Sequence, residues 1–280
     1  MQIGIVGCGI VGSACKFGFE KLGHKVRVHD LKLNTSIYDL LESEIIYICV
    51  PTPMKQDGCC DTTIVESVVD KLSDLYYSGV VAIKSTVPPG TTKSIISKHT
   101  KTVKSVTTGS IKLIHPFADI AFVPEFLRER CAISDFVENQ KLLAVGANSP
   151  VTHKVIVESH GHYPQSVVNL TCTQAEILKY YHNTFNALRV VFANEFFEIT
   201  KFFEEEYTPI KNALLKTSSI PDVYLDVNDN MRGYSSICWN KDVPAIIKMC
   251  EQHGIKIPLT DMIPVANENY EKTPFKGTRE

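Results

Sequence analysis

The hexapeptide Gly7-Cys8-Gly9-Ile10-Val11-Gly12 has the glycine spacing that lets a backbone close on a pyrophosphate, with the N-terminus of the following helix facing its charge. A short apolar run, Gln2 to Val6, leads into it, and Lys25-Val26-Arg27-Val28-His29 leads out to Asp30. A carboxylate at that distance from the glycines bonds the adenine ribose hydroxyls and disfavours a 2′-phosphate, so the spacing points to NAD rather than NADP. The competing reading of the same residues is a tight turn in an α/β domain whose pocket has lost its ligand. Elsewhere the local pattern is less committal. Lys179 and Asn183 stand four apart and share one helical face, as do Glu125 and Glu129, and either pair could simply decorate a solvated turn. Thr52 and Thr86 read locally as turn hydroxyls, and Cys238 as a buried structural thiol. Cys59-Cys60-Asp61 and His160-Gly161-His162 lack the spacing of a structural metal site and read as polar turns, so no metal is expected.

These residues need elements to position them. The 280 residues suffice for two domains, and 44% apolar against 21% charged residues is the balance of a globular protein. A formal charge of −2 without a basic run gives no electrostatic reason to expect nucleic acid or an anionic membrane as partner. The N-terminus enters a folded motif at residue 2, so neither signal peptide nor membrane span is expected, and the cytoplasm is the expected location. The nine scattered cysteines read mostly as small buried hydrophobes.

Parallel strands are expected at residues 2–6, 44–50, 80–84, 120–123 and 142–145. Ligands of such a sheet sit beyond the strands' carboxyl ends. The loops there, Val50-Pro51-Thr52-Pro53, Lys84 to Thr91 and Pro124 to Glu129, should line one crevice. The span from Asp30 to Glu44 is short for a helical crossover. Residues 98–118 read as surface loop plus an uncertain strand. No glycine or proline interrupts Thr171 to Tyr207, which predicts a helix of about 30 residues, roughly 45 Å long. Its wide aromatic surface suggests a spine joining two domains and buried in a homodimer. Helices are also expected at 211–219 and 243–253, with an ordered loop from Pro221 to Trp239 and a polar tail at the end. The expected fold is α/β: a Rossmann-type parallel-sheet domain at 1–170, then a long central helix and mainly helical dimerisation domain at 171–270, then a tail at 271–280.

Taken in order, GCGIVG at 7–12, VPTP at 50–53, KSTVPPGT at 84–91, PEFLRE at 124–129, EILKYYHNTFNALRVVFANE at 176–195 and GYSSICWNKD at 233–242 resemble the UDP-glucose and GDP-mannose dehydrogenase family. The resemblance implies an NAD-dependent oxidation of a nucleotide sugar's primary alcohol to a carboxylate in two hydride transfers, with UDP-glucose the leading substrate. It implies that Cys238 is the nucleophile, adding to the aldehyde to give a thiohemiacetal and then a thioester. Lys179 and Asn183 would steady the developing oxyanion, Glu125 would serve thioester hydrolysis as acid/base or water-orienting group, and Asp242 and Thr86 would position water. Glu129 falls on the nicotinamide side, and Lys241 supports the site electrostatically. The cofactor contacts implied are Gly7, Gly9, Ile10, Val11, Gly12, Asp30, Val50, Pro51, Thr52, Ser85, Thr86, Glu129 and Lys241. Glu125, Phe126, Leu127, Arg128, Lys179, Asn183, Arg232 and Tyr234 would line the substrate.

Four departures bear on that picture. Ser235-Ser236 stands where the family has two glycines, which could narrow the pocket, and Asn240 replaces a common proline. The arginine that the family supplies upstream of this loop from a neighbouring subunit is missing from Pro221 to Tyr224, with Arg232 a partial substitute. The chain also matches only the first two of the family's three domains. Two other readings therefore stay open: a non-catalytic NAD-binding or assembly protein, and a dehydrogenase that oxidises one alcohol once.

Overall fold

Strand β1 (Gln2–Val6) alternates its side chains between two apolar layers, and the computed structural model, which describes residues 1–104, 111–114, 117–217 and 219–272, builds the rest of the first unit around it. The turn after β1 opens helix α1 (Ile10–Lys21), which buries Gly12, Ala14, Cys15, Gly18 and Phe19. It stops at Gly23, whose φ of +84° is the left-handed conformation a helix end favours. Strand β2 (Lys25–His29) then pairs parallel with β1 at the sheet's edge.

The short span before β3 (Ile45–Ile48) holds one turn of 3₁₀ helix, Ile37–Leu40, in place of a full α-helical crossover. Helix α2 (Thr63–Asp74), strand β4 (Val80–Ile83) and helix α3 (Thr91–His99) follow. Strands β5 (Lys101–Lys104) and β6 (Ile111–Ile114) form a separate antiparallel pair where a loop and one uncertain strand were expected. Strand β7 (Asp119–Phe122) returns to the main sheet, and α4 (Ala132–Val137), β8 (Leu143–Gly146), α5 (Pro150–His160) and β9 (Val167–Leu170) complete the unit.

The main sheet runs β2-β1-β3-β4-β7-β8-β9. It departs from expectation twice: β8 pairs antiparallel with β7 and not parallel, and β9 adds a strand that was not foreseen. Along β3 the residues alternate between the two cores, Ile46 and Ile48 facing one and Ile45 and Tyr47 the other, as a strand covered on both faces requires.

Helix α6 (Cys172–Phe202) has 31 residues, as its uninterrupted pattern predicts. The chain divides within it. Unit 1 comprises residues 1–53 and 61–179, and unit 2 comprises 54–60 and 180–280. In unit 2, α7 (Tyr207–Leu215) starts and ends about one turn before the expected 211–219. Helix α8 (Ile237–Gln252) begins six residues earlier than expected, because Pro244 lies inside it rather than at its first turn. Cys238 is thus helical and not part of the ordered loop. Helix α9 (Pro258–Asn267) occupies a stretch that reads in sequence only as a passage between prolines. Most of the expected tail, 273–280, lies outside the described residues.

Candidate active site

Each unit carries its own share of the residues singled out by sequence. In unit 1 the glycine turn is shaped by contact with the neighbouring strand end. Gly7 has φ +90°, and a Cβ there would lie 2.7 Å from the Cys49 carbonyl oxygen; a Cβ on Gly12 would lie 1.9 Å from the Gly7 carbonyl oxygen. Gly9 has open space where a Cβ would be, and it caps α1 without a side chain on the helix's first N–H groups. A cradle closed at Gly7 and Gly12 and open at Gly9 fits a dinucleotide pyrophosphate.

Asp30 fits the same ligand. Its Oδ2 accepts the Cys8 N–H at 2.6 Å and its Oδ1 the Lys32 N–H at 2.8 Å, and these bonds, Cys8's first, hold the carboxyl below its ordinary range. The acceptor is therefore ionised at the edge of the turn. Ile10 is exposed in the first turn of α1, whereas Val11 packs against the core. Among the strand-end residues, Ser85 turns inward and donates to the Val50 carbonyl at 2.7 Å, Thr52 is buried, Pro51 is exposed, and Thr86 is half-buried.

The loop after β7 is the most constrained part of unit 1. Glu125 is buried; its Oε2 accepts from Lys84 Nζ at 2.8 Å and its Oε1 from the Phe126 N–H at 3.1 Å. Its carbonyl oxygen accepts from Lys179 Nζ at 2.5 Å, and that ammonium also lies 5.5 Å from the centre of the Phe126 ring. Arg128 is spoken for: its guanidinium donates to both Asp135 oxygens, at 2.9 and 2.6 Å. Leu127 packs against the core, and half-buried Glu129 opens a 3₁₀ turn, Glu129–Cys131.

Lys84 was not assigned a role from sequence. The signal was present, since a lysine that closes the buried strand VVAI needs a countercharge. Burial alone would lower its ammonium, but the Glu125 carboxylate, with Cys15 and Tyr47 beside it, holds it above the ordinary lysine range. Glu176, also unassigned, is fully buried. Its carboxylate accepts the N–H groups of Gly90 at 2.6 Å and Thr92 at 2.8 Å, capping α3 and pinning the end of the Lys84–Thr91 loop.

In unit 2 the start of α8 is set by Ser236, whose Oγ accepts the Trp239 N–H at 3.1 Å. The serine that departs from a glycine pattern is thus a helix cap with φ −64°, a conformation open to any residue. Gly233 is the position that stays tight, since a Cβ there would meet Asn267 Oδ1 at 2.9 Å. Cys238 follows on the first turn and is exposed. Four residues on, Asp242 is 1% exposed; its Oδ2 accepts Asn183 Nδ2 at 2.6 Å and its Oδ1 accepts Lys241 Nζ at 2.5 Å. Positions four apart on a helix are neighbours, with Cβ atoms about 5–6 Å apart, so Asp242 and its amide partner stand beside the thiol's turn. Asn183 is itself steadied by His182, 3.1 Å from its Oδ1.

Two substrate candidates are otherwise engaged. Arg232 bonds Asn194 Oδ1 at 2.7 Å and Glu198, and its guanidinium lies between the rings of Phe197 and Tyr270. Tyr234 is buried beside Trp239, and burial pushes its phenol up to about 12. His160, from the histidine cluster, is a core residue that burial pushes down to about 3. Among the described residues no group of three or more His, Cys, Asp or Glu side chains could hold a metal, and no helix is long and apolar enough to cross a membrane.

A Rossmann-type sheet whose first strand runs into a cradle shaped for a pyrophosphate defines the class of dinucleotide-binding proteins. The sequence profile of the UDP-glucose/GDP-mannose dehydrogenase family's NAD binding domain matches residues 27–163, and that of its central domain matches 173–269. The chain belongs to this family, and its first domain is of the kind that binds NAD. It is 26% identical to UDP-glucose 6-dehydrogenase AglM of Haloferax volcanii over 91% of this chain, and 26% identical to UDP-glucose 6-dehydrogenase TuaD of Bacillus subtilis over 95%. The matches span 66% and 63% of those relatives' lengths. The fold superposes with a TM-score of 0.83 on a UDP-glucose dehydrogenase from Pyrobaculum islandicum, at 24% identity, covering 96% of this chain and 68% of that one.

Proposed function

We propose that this protein oxidises the primary alcohol of a nucleotide sugar, UDP-glucose first among them, to the carboxylate by way of a thioester on Cys238. The observation that carries the reading is the cluster at the start of α8: an exposed thiol on the first turn, with a buried aspartate four residues on that is bonded to the Asn183 amide and the Lys241 ammonium. A single oxidation to the aldehyde gives such a thiol no task. Oxidation to the acid does, because the aldehyde carbon must be made into a hydride donor again.

NAD held at the glycine turn supplies the hydride acceptor for both oxidations. The chain's own residues do the rest. The Cys238 thiolate adds to the aldehyde carbon, forming the C–S bond and a thiohemiacetal oxyanion. Lys179 and Asn183 stabilise that charge as N–H donors, each already fixed in direction by its bond to Glu125 or Asp242. Loss of hydride from the same carbon leaves a thioester. Water then attacks its carbonyl, the C–S bond breaks, and the acid departs with Cys238 regenerated. Glu125 is the group that orients that water, since each of its oxygens has one donor fixed by the fold and a second lone pair for another.

The test is incubation of the purified chain with NAD and UDP-glucose, scoring NADH and acid together. Two NADH per acid is expected; no turnover with any UDP- or GDP-sugar, alongside intact NAD binding, would instead favour a non-catalytic NAD-binding role. A homodimer belongs to the same proposal. Tyr181, Phe185, Phe192, Phe196 and Ile199 are each 46–69% exposed and recur along one side of α6, more apolar surface than a lone helix leaves in water. Sedimentation should give a dimer for the parent protein and a monomer for Phe192→Glu/Phe196→Glu; a monomeric parent removes the dimer from the proposal.

A further inference from the structure

Glu125 and Lys84 are a buried ion pair inside an otherwise apolar layer, and apolar layers do not keep charges without cause. The two side chains are 7% and 0% exposed, with Nζ to Oε2 at 2.8 Å. They come from adjacent parallel strands: β4 ends at Ile83 opposite Phe122 of β7, so Lys84 and Glu125 leave the sheet on the same edge. Around the Lys84 ammonium stand the rings of Tyr47, 5.6 Å away, and Phe136, 5.9 Å away. The titratable groups that face the pair are Cys15 on α1, Tyr47 and Cys49 at the end of β3, His160 on α5 and Lys179 on α6.

Most of these are held neutral. Burial raises the Cys15 thiol and the Tyr47 phenol, and burial followed by the field of Lys84 keeps the His160 imidazole uncharged. The Lys179 ammonium bonds the Glu125 carbonyl oxygen. Lys84 is the cation bonded to the Glu125 carboxylate, Nζ to Oε2 at 2.8 Å.

We propose that Lys84 is a positioning residue for thioester hydrolysis, holding the Glu125 carboxylate aimed so that it orients the attacking water. The inference rests on the function proposed above for Glu125 and Cys238. In the step concerned, the water oxygen bonds the thioester carbon and its proton passes toward Glu125. The C–S bond then breaks, and its electron pair leaves with the Cys238 sulfur. The lysine acts through its bond to Oε2 at 2.8 Å, which with the Phe126 N–H on Oε1 fixes the direction of the carboxylate. It has no task in forming the thioester, so its loss should fall on the second half of the reaction.

Intact-mass spectrometry of the full chain, quenched during turnover with NAD and UDP-glucose, separates the halves. Lys84→Met should accumulate an acyl adduct on Cys238, with acid release at least 10-fold slower. Glu125→Gln is the benchmark and should accumulate the same adduct. If Glu125→Gln traps the adduct and Lys84→Met does not, the Lys84 inference is overturned and the function stands. If no variant ever carries an adduct on Cys238, the function itself falls, and the inference with it.

Folding is controlled by the double variant Lys84→Met/Glu125→Gln, which buries no lone charge. If it folds where Lys84→Met alone does not, the lysine's task is to hold the Glu125 carboxylate, as inferred. If neither folds, Lys84 is a packing residue and the inference is wrong.

Discussion

Cys238→Ala should end acid formation, with kcat reduced at least about 10³-fold, equivalent to about 4 kcal/mol of barrier. The same variant should keep its NAD affinity and melt within about 1 °C of the parent, since the thiol is exposed and replacing it leaves no cavity in the core. The size of the effect follows from what the side chain is asked to do. An aldehyde held beside an oxidised cofactor has no tetrahedral oxyanion from which hydride can leave until a nucleophile adds to its carbon. The thiol sits exposed on the first turn of α8. Cys238→Ser is the stricter control. It keeps the shape and the hydrogen-bonding atom but offers an oxygen that is far less nucleophilic at neutral pH. Simultaneous assay of NADH and acid checks both variants. Acid produced by Cys238→Ala at near-parental rate, with two NADH each, would rule out the thioester route.

The parts of the fold written in local pattern are the parts the sequence makes plain. Strands β1, β3 and β4 are apolar runs bounded by turn residues, and α6 is a long stretch without glycine or proline; each forms where its pattern lies. The direction of β8 could not be read this way. A strand buried on both faces has the same composition whether it runs parallel or antiparallel to its neighbour, and only its register against Phe122 tells them apart. The start of α8 was hidden for a different reason. Pro244 reads naturally as a first-turn residue, and Ser236 becomes a cap only once the helix is known to pass through the proline.

The candidate site divides along the same line. The glycine turn and Asp30 lie within one β-α-β segment, so their spacing carries their geometry. The partners of Lys179 and Asn183 lie 54 and 59 residues away in the chain, and no local periodicity could have matched the ammonium to the Glu125 carbonyl or the amide to Asp242. The same holds for Arg232. Its place in sequence suited a substitute for a missing arginine, yet the fold surrounds it with Asn194, Glu198, Phe197 and Tyr270.

Gly12→Ala should cost this protein its cofactor, with NAD affinity down at least about 100-fold, or about 2.7 kcal/mol, by calorimetric titration. The argument is steric and needs no ligand in view. A methyl carbon on Gly12 would sit 1.9 Å from the Gly7 carbonyl oxygen, far inside contact distance, and the obstacle is backbone that cannot rotate aside as a side chain would. Either α1 moves away from β1 or the turn at Gly7 opens, and Gly7 has no slack of its own, being held against Cys49 with its N–H bonded to the His29 carbonyl at 2.9 Å. Opening the turn also disturbs the Cys8 N–H that fixes Asp30, so the pyrophosphate and ribose contacts are lost together. Gly9→Ala is the matched comparison. Nothing lies within 4 Å of a Cβ built there, so it should fold as the parent does, and any loss of NAD affinity measures how closely the ligand itself approaches that position. A Gly12→Ala variant that binds NAD as the parent does would show that the turn yields, and that the spacing of Gly7, Gly9 and Gly12 shapes the strand-to-helix crossing more than the cofactor's seat.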